Sequence, residues 1–316
     1  MITVLCGGVG AARLLEGMCK AFPPGEITAV VNTGDDDQMY GLYICPDLDT
    51  ITYTLAGEVD RTQGWGMTGD TAHTMAALER FGGPTWFKLG DRDLATHMYR
   101  TGRLAQRVPL STVAGEIARA FGLELTLLPM SDQPVRTRVR LAGSGDVSGE
   151  LAFQDYFVRL RHSVPVAEVR FAGAEESRPA PGVLEAIAAA EVIVIAPSNP
   201  VVSIDPILAV PGIAPALRAK RSHVVAISPI VAGAALKGPA DRLLAELGAD
   251  PTAVGVAKWN VSHAGTLVID RADESLSDAI EAAGMTCVVT DTVMTSVDIA
   301  ADLARVAVAA GHAPVL

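Results

Sequence analysis

Met1-Ile2-Thr3-Val4-Leu5-Cys6-Gly7-Gly8-Val9-Gly10-Ala11-Ala12-Arg13 opens the chain, and its reading decides the fold. Ile2–Leu5 reads as a buried strand, and Ala11–Phe22 as a helix with Leu14, Leu15 and Met18 turned inward. The glycines between them let the backbone turn sharply and approach a ligand. The free N–H groups at the start of the following helix then favour an anion. Read as a dinucleotide fingerprint from Gly8, the pattern is Gly8 and Gly10, with Arg13 where the third glycine would stand. GxxxxGK[ST] is absent, so the turn is not a P-loop. The plain alternative is a tight strand-to-helix turn with no ligand. A phosphate site is the better reading, because a glycine loop between the first strand and helix of an α/β chain commonly holds one.

The same alternation continues outward. Ile27–Asn32, Glu124–Leu128, Val192–Ala196, His223–Ser228 and Thr286–Val289 read as short strands. Amphipathic segments at Asp70–Arg80, Thr112–Phe121, Gly182–Ala190, Ala240–Leu247, Ser275–Ala283 and Val297–Ala310 read as helices. This predicts an α/β, Rossmann-like fold: a mostly parallel sheet with helices on both faces. The middle differs. Val135, Thr137, Val139 and Leu141 alternate with Arg136, Arg138 and Arg140, Gly143–Gly149 is turn-like, and Glu150–Arg159 and Val166–Phe171 read as extended. We expect a smaller β-rich insertion over 133–178, with the core built from 1–132 and 179–316. The arginine row is expected to be a solvated strand face.

Composition narrows the function. The chain has 316 residues, 49% hydrophobic and 19% charged, enough for a sizeable core. With 25 Lys+Arg against 36 Asp+Glu, the formal net charge is −11. No nucleic-acid partner is expected at that charge. A phosphorylated small molecule remains a candidate ligand if backbone N–H groups, a few placed cations or a metal ion hold it. Cys6, Cys19, Cys45 and Cys287 form no CxxC pair, so neither a disulfide framework nor a zinc site is expected, and a reducing, cytoplasmic setting fits. The N-terminus reads as a strand rather than a signal peptide. No run of 18 apolar residues occurs, so no membrane partner is expected.

Carboxylates cluster in two places. Asn32-Thr33-Gly34-Asp35-Asp36-Asp37 follows the second strand, and Pro46-Asp47-Leu48-Asp49-Thr50 follows soon after. Loops at the C-terminal ends of parallel strands face the ligand crevice, so Asp35 and Asp36 are expected near the glycine loop. Asp47 and Asp49, at i and i+2, point together if the segment is extended. Gathered carboxylates repel one another unless a cation neutralises them, and Mg²⁺ with oxygen ligands fits that need and binds diphosphate too. For Asp37 a capping or turn role is preferred.

Lys88-Leu89-Gly90-Asp91-Arg92-Asp93-Leu94-Ala95-Thr96-His97 packs both charges around one glycine. Either it is a helix start with surface ion pairs, or Lys88 or Arg92 meets an anion there while Asp91 orients a cation or hydroxyl. His97 by itself reads as a structural hydrogen-bonder. Ala196-Pro197-Ser198-Asn199-Pro200 and Ser228-Pro229-Ile230 end two later strands, with Lys237-Gly238-Pro239 beyond. Ser198, Asn199 and Ser228 are candidates to frame a nucleotide, against the alternative of ordinary proline-terminated strands.

Together these motifs resemble the CofD/FbiA family, the 2-phospho-L-lactate transferases of coenzyme F-420 biosynthesis. The similar stretches are GGVGAARLLEG (7–17), VVNTGDD (30–36), CPDLDTITYTLAG (45–57), WGMTGDT (65–71), KLGDRDLATH (88–97), LPMSD (128–132), FQDYFVR (153–159), IAPSNPVVSIDPIL (195–208) and SPIVAGAALKGPA (228–240). They run in one order along nearly the whole chain. The resemblance implies a Mg²⁺-dependent phosphotransferase, usually a homodimer. It would transfer a phospho-carboxylate unit, phospholactyl or phosphoenolpyruvyl, from a guanosine-diphospho donor to the ribityl hydroxyl of the deazaflavin Fo, releasing GMP. By resemblance, Asp49 and Lys88 match Fo-contacting positions, and Asp35 and Asp47 the metal side, where Asp36 is also a candidate ligand. From the residues themselves, Asp49 and Asp35 are the candidate catalytic carboxylates. Gly8, Gly10, Arg13, Arg92, Ser198, Asn199 and Ser228 are candidates for the donor's phosphates and nucleotide.

Two alternatives come from other classes. A nicotinamide-dependent oxidoreductase would use the same glycine loop, but Arg13 replaces its third glycine, and four aspartates stand where one ribose-binding acid would do. A regulator sensing a nucleotide sugar, as in the YvcK-like group that shares the opening loop, would bind ligand without turnover.

Overall fold

The computed structural model describes residues 1–143 and 150–312. Seven strands form one parallel sheet in the order Thr286–Thr290, Thr266–Asp270, Val224–Ile227, Val192–Ile195, Ile2–Cys6, Ile27–Val31 and Thr126–Pro129. The chain starts in the interior of this sheet, moves outward on one side, then crosses back and continues outward on the other. The strand order therefore reverses between Ile2–Cys6 and Val192–Ile195, and a crevice opens beyond their carboxyl ends. The fold is α/β and Rossmann-like, as the sequence predicts.

Burial on both faces explains the unbroken apolar strands. Leu5, Val30, Ile193 and Ile195 point into one core, and Val4, Cys6, Ala29, Val31 and Val194 into the other. The second core is capped by the opening helix, Gly8–Ala21, and the last helix, Val297–His312. These two helices pack so closely that a Cβ at Gly17 would lie 2.3 Å from the carbonyl carbon of Ala300.

The antiparallel excursion is a separate three-stranded sheet in the order Glu150–Ala152, Arg136–Leu141, Val166–Ala172. Val135, Thr137, Val139 and Leu141 are buried as the alternation predicts, and the valines and Leu141 join the first core. Arg140 and Arg170 form exposed ion pairs with Glu168 and Glu150. Arg136 does not fit the solvated-face reading: it donates to the Tyr43 hydroxyl at 2.8 Å and lies over that ring. Of the turn expected over 143–149, residues 144–149 lie outside the described residues.

Four expectations need correction. Pro46–Leu55 is a helix, not an extended segment. Its signals are proline at the first helical position and two acids in the first turn. The strand at Glu150 ends at Ala152, and residues 153–159 are helical because Phe153 and Tyr156 bury on one side of a tight turn. The Asp70–Arg80 helix is shorter, His73–Glu79. Asp91–Ala105 is a full helix, so the mixed-charge run is a helix start as well as a site edge. The structure adds a strand at Thr266–Asp270 and a helix at Ala253–Asn260 that the sequence pattern does not announce. Among the described residues, no single helix is long and apolar enough to cross a membrane.

The Gly17 contact gives a direct test. In Gly17→Ala, the added methyl must displace the Ala300 backbone, an overpacking cost of about 1–3 kcal/mol that outweighs alanine's better helix propensity. Thermal unfolding should show a Tm several degrees below that of the parent protein.

Candidate active site

The opening helix begins at Gly8, so Gly8 and Gly10 lie in its first turn rather than ahead of it. First-turn amides have no acceptor within their own helix. One already has an anion: Asp47 Oδ1 accepts the Gly8 N–H at 2.9 Å. Asp47 Oδ2 accepts from Asn32 Nδ2 at 2.9 Å, and Asn32 Oδ1 accepts the Gly34 N–H at 2.8 Å. A Cβ at Gly7 would lie 2.6 Å from Asp47 Oδ2, so only glycine lets this carboxylate in. Burial pushes Asp47 up to about 6 against these hydrogen bonds.

Asp35 stands in the same cavity, and its Oδ1 is buried with no hydrogen-bond partner. Burial, and then the charge of Asp47, hold its carboxyl well above the usual carboxylate range. Two buried, mutually repelling carboxylates, one with an orphaned oxygen, form a donor set suited to a hard divalent cation. Asp36 does not join them. It is absent from the cavity wall, accepts from the Cys45 thiol at 3.2 Å, and burial raises it to about 7 despite Arg136 nearby.

Asp49 also lines the cavity but faces away from the glycine turn. Two residues along a helix turn the side chain by about 200°, so Asp47 and Asp49 cannot point together. Asp49 is gripped by Arg100, with Nη1 donating to Oδ2 at 3.1 Å and Nη2 donating to Oδ1. Burial works against the guanidinium charge, and Asp49 outweighs it, holding Arg100 above its ordinary value. His97 Nδ1 lies 3.3 Å from Arg100 Nη1, and its Nε2 lies 3.1 Å from Asp93 Oδ2. Since a guanidinium only donates, Nδ1 accepts and the ring proton belongs on Nε2, facing Asp93. Tyr53 donates to Asp93 Oδ1 at 2.7 Å. Asp49, Asp93 and His97 lie close enough to share a metal ion, yet Arg100 already supplies the cation there. Asp35 with Asp47, which no cationic side chain among the described residues pairs with, fits a metal better.

Sequence reasoning missed Arg100, Asp93 and Tyr53 and read His97 as merely structural. The signal was present: Asp93, His97 and Arg100 stand at i, i+4 and i+7, one face of the Asp91–Ala105 helix. The other charged residues of that run serve as structure. Arg92 does not line the cavity; it pairs with Glu58 and donates to the Thr68 carbonyl, which removes it from the donor-phosphate set. Asp91 accepts from the Thr71 hydroxyl and from the His73 and Thr74 amides, while Asp70 accepts from the Arg92 and Asp93 amides. Each carboxylate caps the other's helix.

Lys88 is exposed at the cavity edge. Ser198, Asn199 and Ser228 line the wall, but their side chains also shape their own loops. Ser198 Oγ donates to the Gly7 carbonyl at 2.8 Å, Asn199 Oδ1 accepts the Val201 N–H at 3.0 Å, and Ser228 Oγ donates to the Ile230 carbonyl at 2.9 Å. Arg13 lines the cavity as well. The space is about 560 Å³, and its lining includes the glycine turn, four aspartates and the aromatic residues Trp65, Phe87, Phe153 and Phe157.

Comparison with known proteins places this arrangement. Residues 2–307 match the family model described as 2-phospho-L-lactate transferase CofD. A phosphoenolpyruvate transferase of Streptomyces griseus is 46% identical over 308 residues, 96% of each chain. Another, from Streptomyces avermitilis, is 45% identical over 315 residues, 98% of this chain and 97% of the relative. Among solved structures, protein BH3568 from Bacillus halodurans superposes with a TM-score of 0.63 at 18% identity, covering 96% of this chain and 97% of that one, which speaks for the fold alone.

The Arg100–Asp49 pair is testable by itself. Arg100→Met leaves a buried, uncompensated carboxylate and should lower stability in urea unfolding by about 3–5 kcal/mol. Adding Asp49→Asn to it should recover a substantial part of that loss.

Proposed function

The chain belongs to the 2-phospho-L-lactate transferase CofD family and is a transferase, and on that premise we propose that it moves a phosphoenolpyruvyl unit from a guanosine-diphospho donor to the ribityl hydroxyl of Fo, releasing GMP, in coenzyme F-420 biosynthesis. One observation carries the reading: a single cavity is lined both by the Gly8–Gly10 turn with four aspartates and by the aromatic side chains Trp65, Phe87, Phe153 and Phe157. A nucleotide diphosphate suits the first and a flat deazaflavin the second. The name shared by the Streptomyces relatives supports enolpyruvyl over lactyl or glyceryl as the transferred acid. Their identity to this chain also favours the transferase over the oxidoreductase and sensor alternatives. In this reading the enzyme works as a cytoplasmic homodimer.

The ring system of Fo lies among Trp65, Phe87 and Phe157, with Lys88 at its edge. Asp49 accepts a hydrogen bond from the ribityl hydroxyl and aims its oxygen at phosphorus. The Arg100 contacts fix Asp49 in place, so its carboxylate aligns the hydroxyl and takes up the proton that leaves as the O–P bond forms. The new O–P bond forms as the anhydride bond to GMP breaks, and that electron pair departs on the GMP phosphate. The first-turn amides of Val9 and Gly10, with Arg13, hold the donor's oxyanions, and Ser198, Asn199 and Ser228 frame the nucleotide. Asp35 and Asp47 are the residues to hold Mg²⁺, which when bound neutralises diphosphate charge. Positioning supplies most of the rate.

Incubation with Fo, Mg²⁺ and guanosine donors carrying enolpyruvate, lactate or glycerate should give the phosphoenolpyruvyl deazaflavin as the dominant product by mass spectrometry. Asp49→Asn should slow turnover by on the order of 10²-fold, the scale of losing one aligning contact. No product with any donor would defeat the reading.

Cation binding should follow pH with a definite sign. Burial raises Asp47 to about 6 and also holds Asp35 well above the usual carboxylate range, so both carboxylates gain charge as pH rises from acid to mildly alkaline values. Calorimetric titration with Mn²⁺ should show markedly tighter binding at pH 8 than at pH 5. Asp35→Asn should remove most of that gain.

A further inference from the structure

Three cations line the cavity wall without an ion-pair partner among the described residues, Arg13, Lys88 and Lys237, and two of them, Arg13 and Lys237, stand together. Arg13 lies one helical turn beyond Val9 on the opening helix, and Nη1 reaches only the Met294 carbonyl, at 3.5 Å. Lys237, from the turn before the Ala240–Glu246 helix, reaches only the Gln63 carbonyl, at 3.4 Å. Among the described residues neither forms an ion pair. They are also neighbours. A Cβ on Gly64 would meet Lys237 Nζ at 2.9 Å and Val9 Cγ1 at 3.0 Å, so the ammonium is wedged against the first turn of the helix that carries Arg13.

A chain of net charge −11 has no shortage of carboxylates, and four of them, Asp35, Asp47, Asp49 and Asp93, line this same cavity. Yet two like charges are left side by side, answered only by carbonyl oxygens at the limit of hydrogen bonding. Their repulsion is visible in Lys237, whose ammonium is held below its ordinary value by burial and then by Arg13. Their place is the cavity mouth, where Trp65 and Leu236 are wall residues yet 44% and 56% exposed.

We infer that Arg13 and Lys237 together form an oxyanion subsite for the donor, with Lys237 as a donor-binding residue that the sequence motifs did not single out. The inference rests on the transferase reading for the identity of the donor, but not for the existence of the subsite. The ligand chemistry is a phosphate or carboxylate oxyanion. In the proposed donor it comes either from the diphosphate or from the carboxylate of the transferred unit. The two cations contribute differently, since the guanidinium fork of Arg13 fixes orientation and the ammonium of Lys237 adds point charge.

The test uses the full chain with Mg²⁺, circular dichroism to check folding, and the variants Lys237→Met, Lys237→Arg, Arg13→Gln and Arg13→Lys. Calorimetry with inorganic pyrophosphate asks whether the subsite exists, independently of the nucleotide. Binding should weaken at least tenfold in Lys237→Met and Arg13→Gln, recover in Lys237→Arg and Arg13→Lys, and fall steeply with added salt. GDP, GMP and phosphoenolpyruvate then separate the sources. Loss of GDP affinity with GMP unchanged assigns the pair to the outer phosphate. Loss of phosphoenolpyruvate affinity with both nucleotides unchanged assigns it to the carboxylate. In turnover, KM for the donor should rise at least tenfold while KM for Fo holds. Pyrophosphate and donor binding equal to the parent protein in both charge-removing variants would overturn the subsite. A parent protein that binds pyrophosphate through this pair but makes no product would instead defeat the transferase reading and leave the subsite standing.

Discussion

The carboxylate of Asp47 is the tie on which the site's geometry depends. One oxygen takes the Gly8 amide and the other takes Asn32, so a single buried side chain joins the opening helix, the end of the second strand and the Pro46–Leu55 helix. The three segments are distant in sequence, and a buried anion keeps them together because leaving it without those donors costs several kcal/mol. Gly7 is fixed by the same contact, since a side chain there would occupy the carboxylate's place. The glycine turn is therefore not an open phosphate loop. Its first amide is occupied, and an incoming anion must use the amides that follow.

This tie also explains how two aspartates two residues apart acquire different chemistry. A helix sends Asp47 toward the glycine turn and Asp49 toward the Asp91–Ala105 helix. Asp47 is buried among neutral donors with Asp35 in the same cavity; burial raises its pKa, and the Asn32 and Gly8 hydrogen bonds only partly offset that. Asp49 meets a guanidinium in two-point contact, with His97, Asp93 and Tyr53 behind it. The first environment invites a cation and the second already contains one. One helical turn thus supplies two acids in opposite electrostatic settings, the difference on which their proposed roles rest.

Much of this was legible in the residues, and the failures share a cause. The strands were readable because burial on both faces leaves continuous apolar runs such as Ile2–Leu5 and Val192–Ile195. Asp35, Asp47 and Asp49 were readable because strand-end loops in a parallel sheet converge on the crevice. Asp36 and Arg92 were misplaced because adjacent charged residues look equivalent in sequence, whereas the backbone sends neighbours in different directions. Asp47 and Asp49 would point together only in an extended segment, and the proline and two acids at a helix start already speak against one. Arg100 and Lys237 were hidden for another reason. A buried arginine is recognisable only by its partner, 51 residues away, and an unpaired lysine only by what is absent around it.

The distribution of charge then becomes intelligible as a whole. An acidic chain binding an anionic donor must keep its carboxylates from repelling that donor. Here Asp49 is neutralised by Arg100, Asp93 accepts from the Tyr53 hydroxyl with His97 beside it, and Asp36 lies off the wall beside Cys45 and Arg136. That leaves Asp35 and Asp47 as a negative pair with no cation beside it among the described residues, and Arg13 and Lys237 as an adjacent positive pair, in a cavity that Lys88 also lines. A divalent cation answers the first pair and an oxyanion the second, and a metal-bound diphosphate ester carries both. On the proposed reading one ligand would answer both pairs, and affinity for it would come less from the contacts the protein makes with itself than from these two.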